Sequence, residues 1–174
     1  MKISCIQMDM RLGEVDCNFA HAQALIRSAA EAEHPDVVVL PETWNTGYFP
    51  ADLASTADKD GARTKEVFSA LARELNVNIV CGSVANRKAD GFYNTAYVFD
   101  RTGAVIAEYD KTHLFTYARE HEYFRPGDHT CRFTLDGKSC GLIICYDLRF
   151  PELTRSMTLE GADPPFVVAQ WPPP

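Results

Sequence analysis

Three side chains of different chemistry stand directly behind three apolar runs. Glu42 follows "VVVLP", Lys111 follows "AVIAEYD" and Cys145 follows "GLII". A free thiol has a pKa near about 8.5 and is mostly protonated at neutral pH, so Cys145 needs a base or a cation beside it to become a nucleophile. Glu42 is the available base. Lys111, kept charged by a buried carboxylate, can stabilise the oxyanion formed when a thiolate attacks a carbonyl or nitrile carbon. The backbone N–H of Tyr146, directly after the nucleophile, is the natural second donor. Each residue also has a plainer reading. A cysteine at a strand end is most often inert packing, and Glu or Lys there is commonly a solvated loop residue or a surface ion pair worth about 0–1 kcal/mol.

Chemistry at these positions requires elements that bring the strand ends together. "KISCIQM" reads as a first strand, and "NFAHAQALIRSAAEAE" repeats apolar residues at helical spacing, with Asp16 or Asn18 as its cap. "DVVVL" is a short continuous apolar run, hence a strand buried on both faces and stopped by Pro41. A second helix fits "ARTKEVFSALARELN". "VNIVCGSV", "FYNTAYVFD" and "AVIAEYD" read as strands, and "CRFTL" and "KSCGLIIC" flank an Asp-Gly hairpin signal at Asp136 and Gly137. A short helix fits "ELTRSMTLEG", and "FVVAQW" is one more buried strand. In layered α/β folds, residues just beyond strand ends line one crevice, which is where ligands bind.

Bulk properties narrow the function. The chain of 174 residues is 46% hydrophobic and 24% charged, the balance of a soluble globular protein with a sizeable core. A net charge of −7 without a basic run argues against nucleic acid or an anionic membrane as partner. No apolar run reaches membrane-spanning length and "MKISCIQMDM" turns polar too early for a secretory signal, so a cytoplasmic location is expected. The six cysteines show no CxxC or metal-finger spacing. The five histidines, at 21, 34, 113, 121 and 129, form no helical pair with an acid between them, so no metal site is expected.

"LPETWNTGY" around Glu42, "YDKTHLF" around Lys111 and "GLIICYDLRFPEL" around Cys145 resemble, in order, the three signature motifs of the nitrilase superfamily, the carbon–nitrogen hydrolases. The similarity takes in "KISCIQMDMRLGEVDCN", "GFYNTAYVFDRTGAVIAEYDK" and "EYFRPGD", so residues 1–174 read as one such domain. The resemblance implies an α/β fold, a four-layer αββα sandwich that pairs through its helices into a homodimer or higher oligomer. It implies Glu42 as general base, Lys111 as oxyanion partner and Cys145 as nucleophile, with no cofactor and no metal. A second glutamate that orients substrate or water is implied in "REHEYFRPGD"; Glu120, six residues before Pro126, is favoured over Glu122, four before it. Glu120 and Tyr146 are therefore the expected substrate-binding residues, and Tyr48, Trp44 and Trp171 are either pocket walls or core aromatics.

The implied reaction is acyl transfer, in which a small amide forms a thioester on Cys145, releases ammonia and is then hydrolysed by water. "GLIICYDLRFPELTRSMTLEGA" with "FVVAQWP" is most similar to the omega-amidase and 2-oxoglutaramate amidase branch, which implies small carboxylated amides. Nitrilase and N-carbamoyl hydrolase activities are the alternatives within the superfamily. A cysteine hydrolase pairing Cys145 with His113 is a rival of another kind. Family members run on past the "AQWP" strand, and here Pro164 and Pro165 precede that strand while three prolines follow it, so the domain is expected to be incomplete at its C-terminus. An inactive, truncated chain that only oligomerises or binds is the non-enzymatic alternative.

Overall fold

The computed structural model describes residues 1–163 and 165–171, so the expectations attached to Pro164 and the final three prolines lie outside the described residues. Its organising pattern is visible in β2 (Val37–Val39), a strand of three valines with every residue buried. Val38 points into a core shared with helices, whereas Val37 and Val39 point into a core shared with a second sheet. Such a strand must lie inside the molecule, because alternate side chains leave a strand on opposite faces and both faces here are apolar.

The first sheet runs in the order β1 (Ile3–Cys5), β2, β4 (Asn78–Lys88), β5 (Gly91–Phe99), β6 (Val105–Asp110), with β3 (Asp58–Lys59) pairing β4 off this path. Pairing is parallel from β1 through β4 and antiparallel from β4 to β6. Helices α1 (Val15–Glu33) and α3 (Ala62–Leu75) cover one face, burying Phe19, Ile26, Phe68 and Leu71 against Val38, Ile79 and Phe99. The other face packs through Val37, Val80 and Val98 on the second sheet, β7 (Cys131–Leu135), β8 (Lys138–Ile144) and β9 (Phe166–Val168). Helix α4 (Pro151–Leu159) closes the far side, where Met157 meets Ile143. The layers are helix, sheet, sheet, helix, the expected αββα sandwich.

Local rules explain most boundaries. The β7–β8 hairpin turns on Asp136 (φ 47°) and Gly137 (φ 78°), two successive left-handed residues that match the twist of the flanking strands. Pro151 opens α4 at the first-turn position, where its missing N–H costs nothing. The expected cap of α1 is corrected. The helix begins at Val15 with no side-chain cap, and Asn18 is buried, donating from Nδ2 to the carbonyls of Arg11 and Asn45 while Oδ1 accepts from the Arg11 N–H. Asn18 is needed there because it satisfies backbone groups of two loops at once. The short α2 (Leu53–Thr56) and β3 were not expected, since elements this short carry no periodicity.

Candidate active site

Each of the three strand ends is fixed by a close backbone approach. After β2 the chain passes over β4 at Gly82 (φ 56°), where a Cβ would stand 1.9 Å from the Pro41 carbonyl oxygen. No larger residue fits. Ser83 then locks the segment: its N–H donates to Pro41 O (3.1 Å) and its Oγ accepts the Thr43 N–H (3.0 Å). Glu42 is thereby aimed into the space between the sheets. At the end of β6 the Lys111 N–H donates to Asn94 O (2.9 Å) and its carbonyl accepts from Gly127 N–H (2.9 Å), so Lys111 is clamped from both sides. Gly127 is required in turn, because a Cβ there would meet the Asp110 carbonyl oxygen at 2.2 Å.

Cys145 sits on the first residue after β8 with φ 45°, a left-handed conformation that costs a non-glycine residue about 1–2 kcal/mol. Asp147 offsets that strain. It is fully buried and accepts the Ile144 N–H (3.0 Å), the Tyr109 hydroxyl (2.8 Å) and the His113 N–H (2.8 Å), with the His113 Nδ1 at 2.9 Å. One carboxylate thus ties the cysteine turn to the segment that carries Lys111. His113 stacks on Phe150 at 3.7 Å between ring centroids and pairs with Asp147, not with the thiol, which removes the support for a Cys145–His113 dyad.

The charged groups form one cluster. Lys111 Nζ, with no solvent exposure, donates to Glu42 Oε1 (2.8 Å) and to both oxygens of Glu120, Oε2 at 2.8 Å and Oε1 at 3.1 Å. Asn94 Nδ2 donates to Glu42 Oε1 (2.9 Å) and Glu120 Oε1 (3.1 Å), and the N–H groups of Gln170 and Phe115 add 3.2 Å and 2.6 Å bonds to Glu42 and Glu120. Glu120 rather than Glu122 reaches the lysine; Glu122 is exposed and pairs with Arg119. Burial pushes the Glu42 pKa above the ordinary carboxylate value, against the pull of Lys111. For Lys111, burial works against its charge, yet the two carboxylates overcome it and hold the pKa above the usual lysine value. Cys145 is pushed up to about 12, by burial first and by the charge of Glu42 second, with Lys111 opposing. The resting thiol is therefore protonated, with a carboxylate in its field.

The thiol opens into a cavity of about 370 Å³ lined by Tyr48, Phe49, Phe115, Ala118, Cys145, Tyr146, Arg149, Gln170 and Trp171. Its walls are mainly aromatic, which keeps water scarce and strengthens the charges at its floor. Of the two readings left open, Tyr48 and Trp171 take that of wall residues and Trp44 that of a core residue: it is fully buried against Phe19 and Phe68, and its indole N–H donates to Cys81 O at 2.7 Å. A wider depression of about 780 Å³ near the start of α1 and α3 is open to solvent, and its Arg63 is spent on Asp16. Asn94, Asp147 and Arg149 were missed. An asparagine inside the strand-like run "FYNTAYVF" was the one available signal, since asparagine is depleted in strands unless its side chain has a partner to serve.

A two-sheet sandwich with a glutamate, a lysine and a cysteine gathered at strand ends defines a class, and the comparisons agree with it. The sequence profile of the carbon-nitrogen hydrolase family matches residues 2–171, and the chain belongs to that family. Among its relatives it is 44% identical to the 2-oxoglutaramate amidase of Bacillus subtilis, over 99% of this chain and 66% of that protein. It is 30% identical to the omega-amidase NIT2 of Homo sapiens, over 92% of this chain and 60% of that protein. Saccharomyces cerevisiae Nit3, a member of branch 10 of the nitrilase superfamily, superposes with a TM-score of 0.88 at 25% identity, covering 98% of this chain and 65% of that one. The XC1258 protein of Xanthomonas campestris, a CN-hydrolase superfamily member with an arsenic adduct in its active site, gives 0.86 at 29% identity, over 98% and 65%. The chain spans about two thirds of the length of the relatives it matches.

Proposed function

We propose that this chain hydrolyses the carbon–nitrogen bond of a small, carboxylated amide through a thioester on Cys145. The observation that carries the reading is the buried cluster in which Lys111 lies 2.8 Å from both Glu42 and Glu120, with the Cys145 thiol in the field of Glu42. Glu42 takes the thiol proton as Sγ attacks the amide carbon, and the C=O electron pair moves onto oxygen. Lys111 Nζ donates to Glu42 and, in a forked contact, to both oxygens of Glu120; reducing that fork to one oxygen frees an N–H for the oxyanion, together with the Tyr146 N–H. Collapse expels the amine, which leaves as ammonia with the proton from Glu42. Water then attacks the thioester, its proton passing to a carboxylate of the cluster, and the second collapse releases the acid and restores the thiol.

Arg149 supports a substrate with an anionic end. It lines the same cavity as Cys145 and, among the described residues, has no ion pair or side-chain hydrogen bond. A substrate carboxylate lying in that cavity would find a cation there, in keeping with the amidases among the relatives. Further parts of the reading are a homo-oligomer, supported by exposed Leu148 and Leu159 beside α4, and a cytoplasmic setting, supported by six cysteines that are all free. No helix among the described residues is long and apolar enough to cross a membrane.

The test is an ammonia-release screen over short amides with and without a terminal carboxylate, nitriles and N-carbamoyl amino acids. Turnover of the carboxylated amides, absent in Cys145→Ala, is the expected result. Turnover confined to nitriles or carbamoyl compounds would replace the substrate class, and none at all would favour a binding module.

A further inference from the structure

We propose that Asn94 is a positioning residue of this site: its amide NH2, shared between Glu42 and Glu120, holds the base ionised and aimed at the thiol. The inference rests on the hydrolase reading only for what Glu42 is ultimately used for.

Two buried carboxylates face one lysine, so the cluster carries an excess negative charge in a place where water does not reach it. A carboxylate in that situation tends to take up a proton, and a protonated Glu42 is no base. Hydrogen bonds that donate to the ionised form oppose this. Asn94 supplies one to each glutamate from a single nitrogen, at 2.9 Å and 3.1 Å, while its backbone carbonyl accepts the Lys111 N–H at 2.9 Å. It is therefore in contact with all three charged members. The other titratable groups facing Glu42 are Cys145, from the end of β8, and Tyr48, from the loop after β2.

The amide orientation carries the argument. With Nδ2 turned to the carboxylates, Oδ1 is left buried without a partner, and it is the one such side-chain atom among the described residues. Turning the amide over would press its oxygen against two carboxylate oxygens, so the orientation is fixed by the glutamates. A strand position chosen for packing alone would carry a β-branched or aromatic residue, as Val98 and Phe99 do further along β5. An asparagine that leaves an acceptor unsatisfied in order to place one nitrogen is serving the cluster rather than the sheet.

The test follows the rate of Cys145 alkylation by iodoacetamide against pH, with the site of labelling read by peptide mass mapping. Asn94→Leu has a similar shape and removes the orphaned acceptor along with the shared donor, so it should fold, with a melting temperature below that of the wild type because Glu42 and Glu120 each lose a buried hydrogen bond. In it, labelling of Cys145 at pH 7 should fall at least tenfold and the acid limb should move to higher pH, because Glu42 loses a donor and protonates sooner. Asn94→Asp, which adds a third carboxyl, should move the limb further in the same direction. A folded variant of either kind with the wild-type rate and profile would overturn the proposal. So would failure of both variants to fold, which would make Asn94 a residue of the sheet. Ammonia release by the wild type tests the hydrolase reading separately: absent turnover alongside a shifted alkylation profile refutes that reading and upholds this one.

Discussion

Among the described residues, Lys111 and Lys88 each sit between two carboxylates, and only one of the two is cut off from water. Lys111 meets Glu42 and Glu120 at 2.8 Å each, inside the sandwich. Lys88 meets Glu108 at 2.8 Å and Asp110 at 2.7 Å on the rim of the same sheet, with Lys65 reaching Glu108 at 3.2 Å. Distances and charges barely distinguish them. Solvent does: Lys111 is 0% exposed and Lys88 is 24% exposed, with Glu108 at 37%. Water screens the rim cluster and supplies its missing hydrogen bonds, whereas the buried one depends on Asn94 and backbone N–H groups. Asp110 ends β6 and Lys111 follows it, so one residue past the strand moves the side chain from the rim to the interior. The Cys145 thiol thus lies in the field of a carboxylate that water does not screen.

Substitutions sharpen the contrast. Lys111→Met should abolish turnover and also cost about 3–5 kcal/mol of stability in urea titration, since it strands two carboxylates in the interior. Glu42→Gln keeps the shape and should lower kcat by about 10²–10⁴-fold in the ammonia assay with the fold intact, as expected for loss of a general base. Arg149→Ala should raise KM for a carboxylated amide about tenfold or more while leaving an uncharged amide of the same length little affected. The mirror experiment, Lys88→Met, should change stability by no more than about 1 kcal/mol and leave the ammonia-release rate as it was.

Acid separates the two clusters by sign. Burial raises the Glu42 pKa, so activity should fall as pH drops through a value above the ordinary carboxylate range. Burial also acts to raise the pKa of Glu108, but Lys88 and Lys65 together outweigh it and the net shift is downward. Its stabilising contribution is present above the unfolded-state pKa and is lost only as pH falls through the lower folded value. On acidification, turnover should therefore disappear before the rim network loosens, which parallel rate and melting profiles would show. A simultaneous loss would mean that the two clusters differ less than their burial implies.

Much of the sandwich was legible because its signals are local. The continuous apolar run around Val38, the Asp136–Gly137 turn and the helical spacing from Phe19 to Ile26 each lie within a few residues. Glu42, Lys111 and Cys145 could be singled out by their places after strands, together with the resemblance that their surroundings carry. What joins them is not local. Asn94 meets a glutamate 52 residues away, and Asp147 meets a tyrosine 38 residues away, so no pattern along the chain marks either pairing. Trp44 stayed open for a related reason: an aromatic two residues after Glu42 fits a pocket wall and a core equally, and its burial and the reach of its N–H to Cys81 O separate them.

The most direct measurement is the mass of the protein quenched in acid during turnover of a short ω-amide carrying a carboxylate, followed by peptide mapping. Glu120→Gln should slow attack by water and let the intermediate accumulate. The account predicts an acyl group on Cys145, ammonia released in step with it, and neither in Cys145→Ala. Ammonia formed at an undiminished rate by Cys145→Ala, or an acyl group mapped to any of the other five cysteines with Cys145 unmodified, would contradict it.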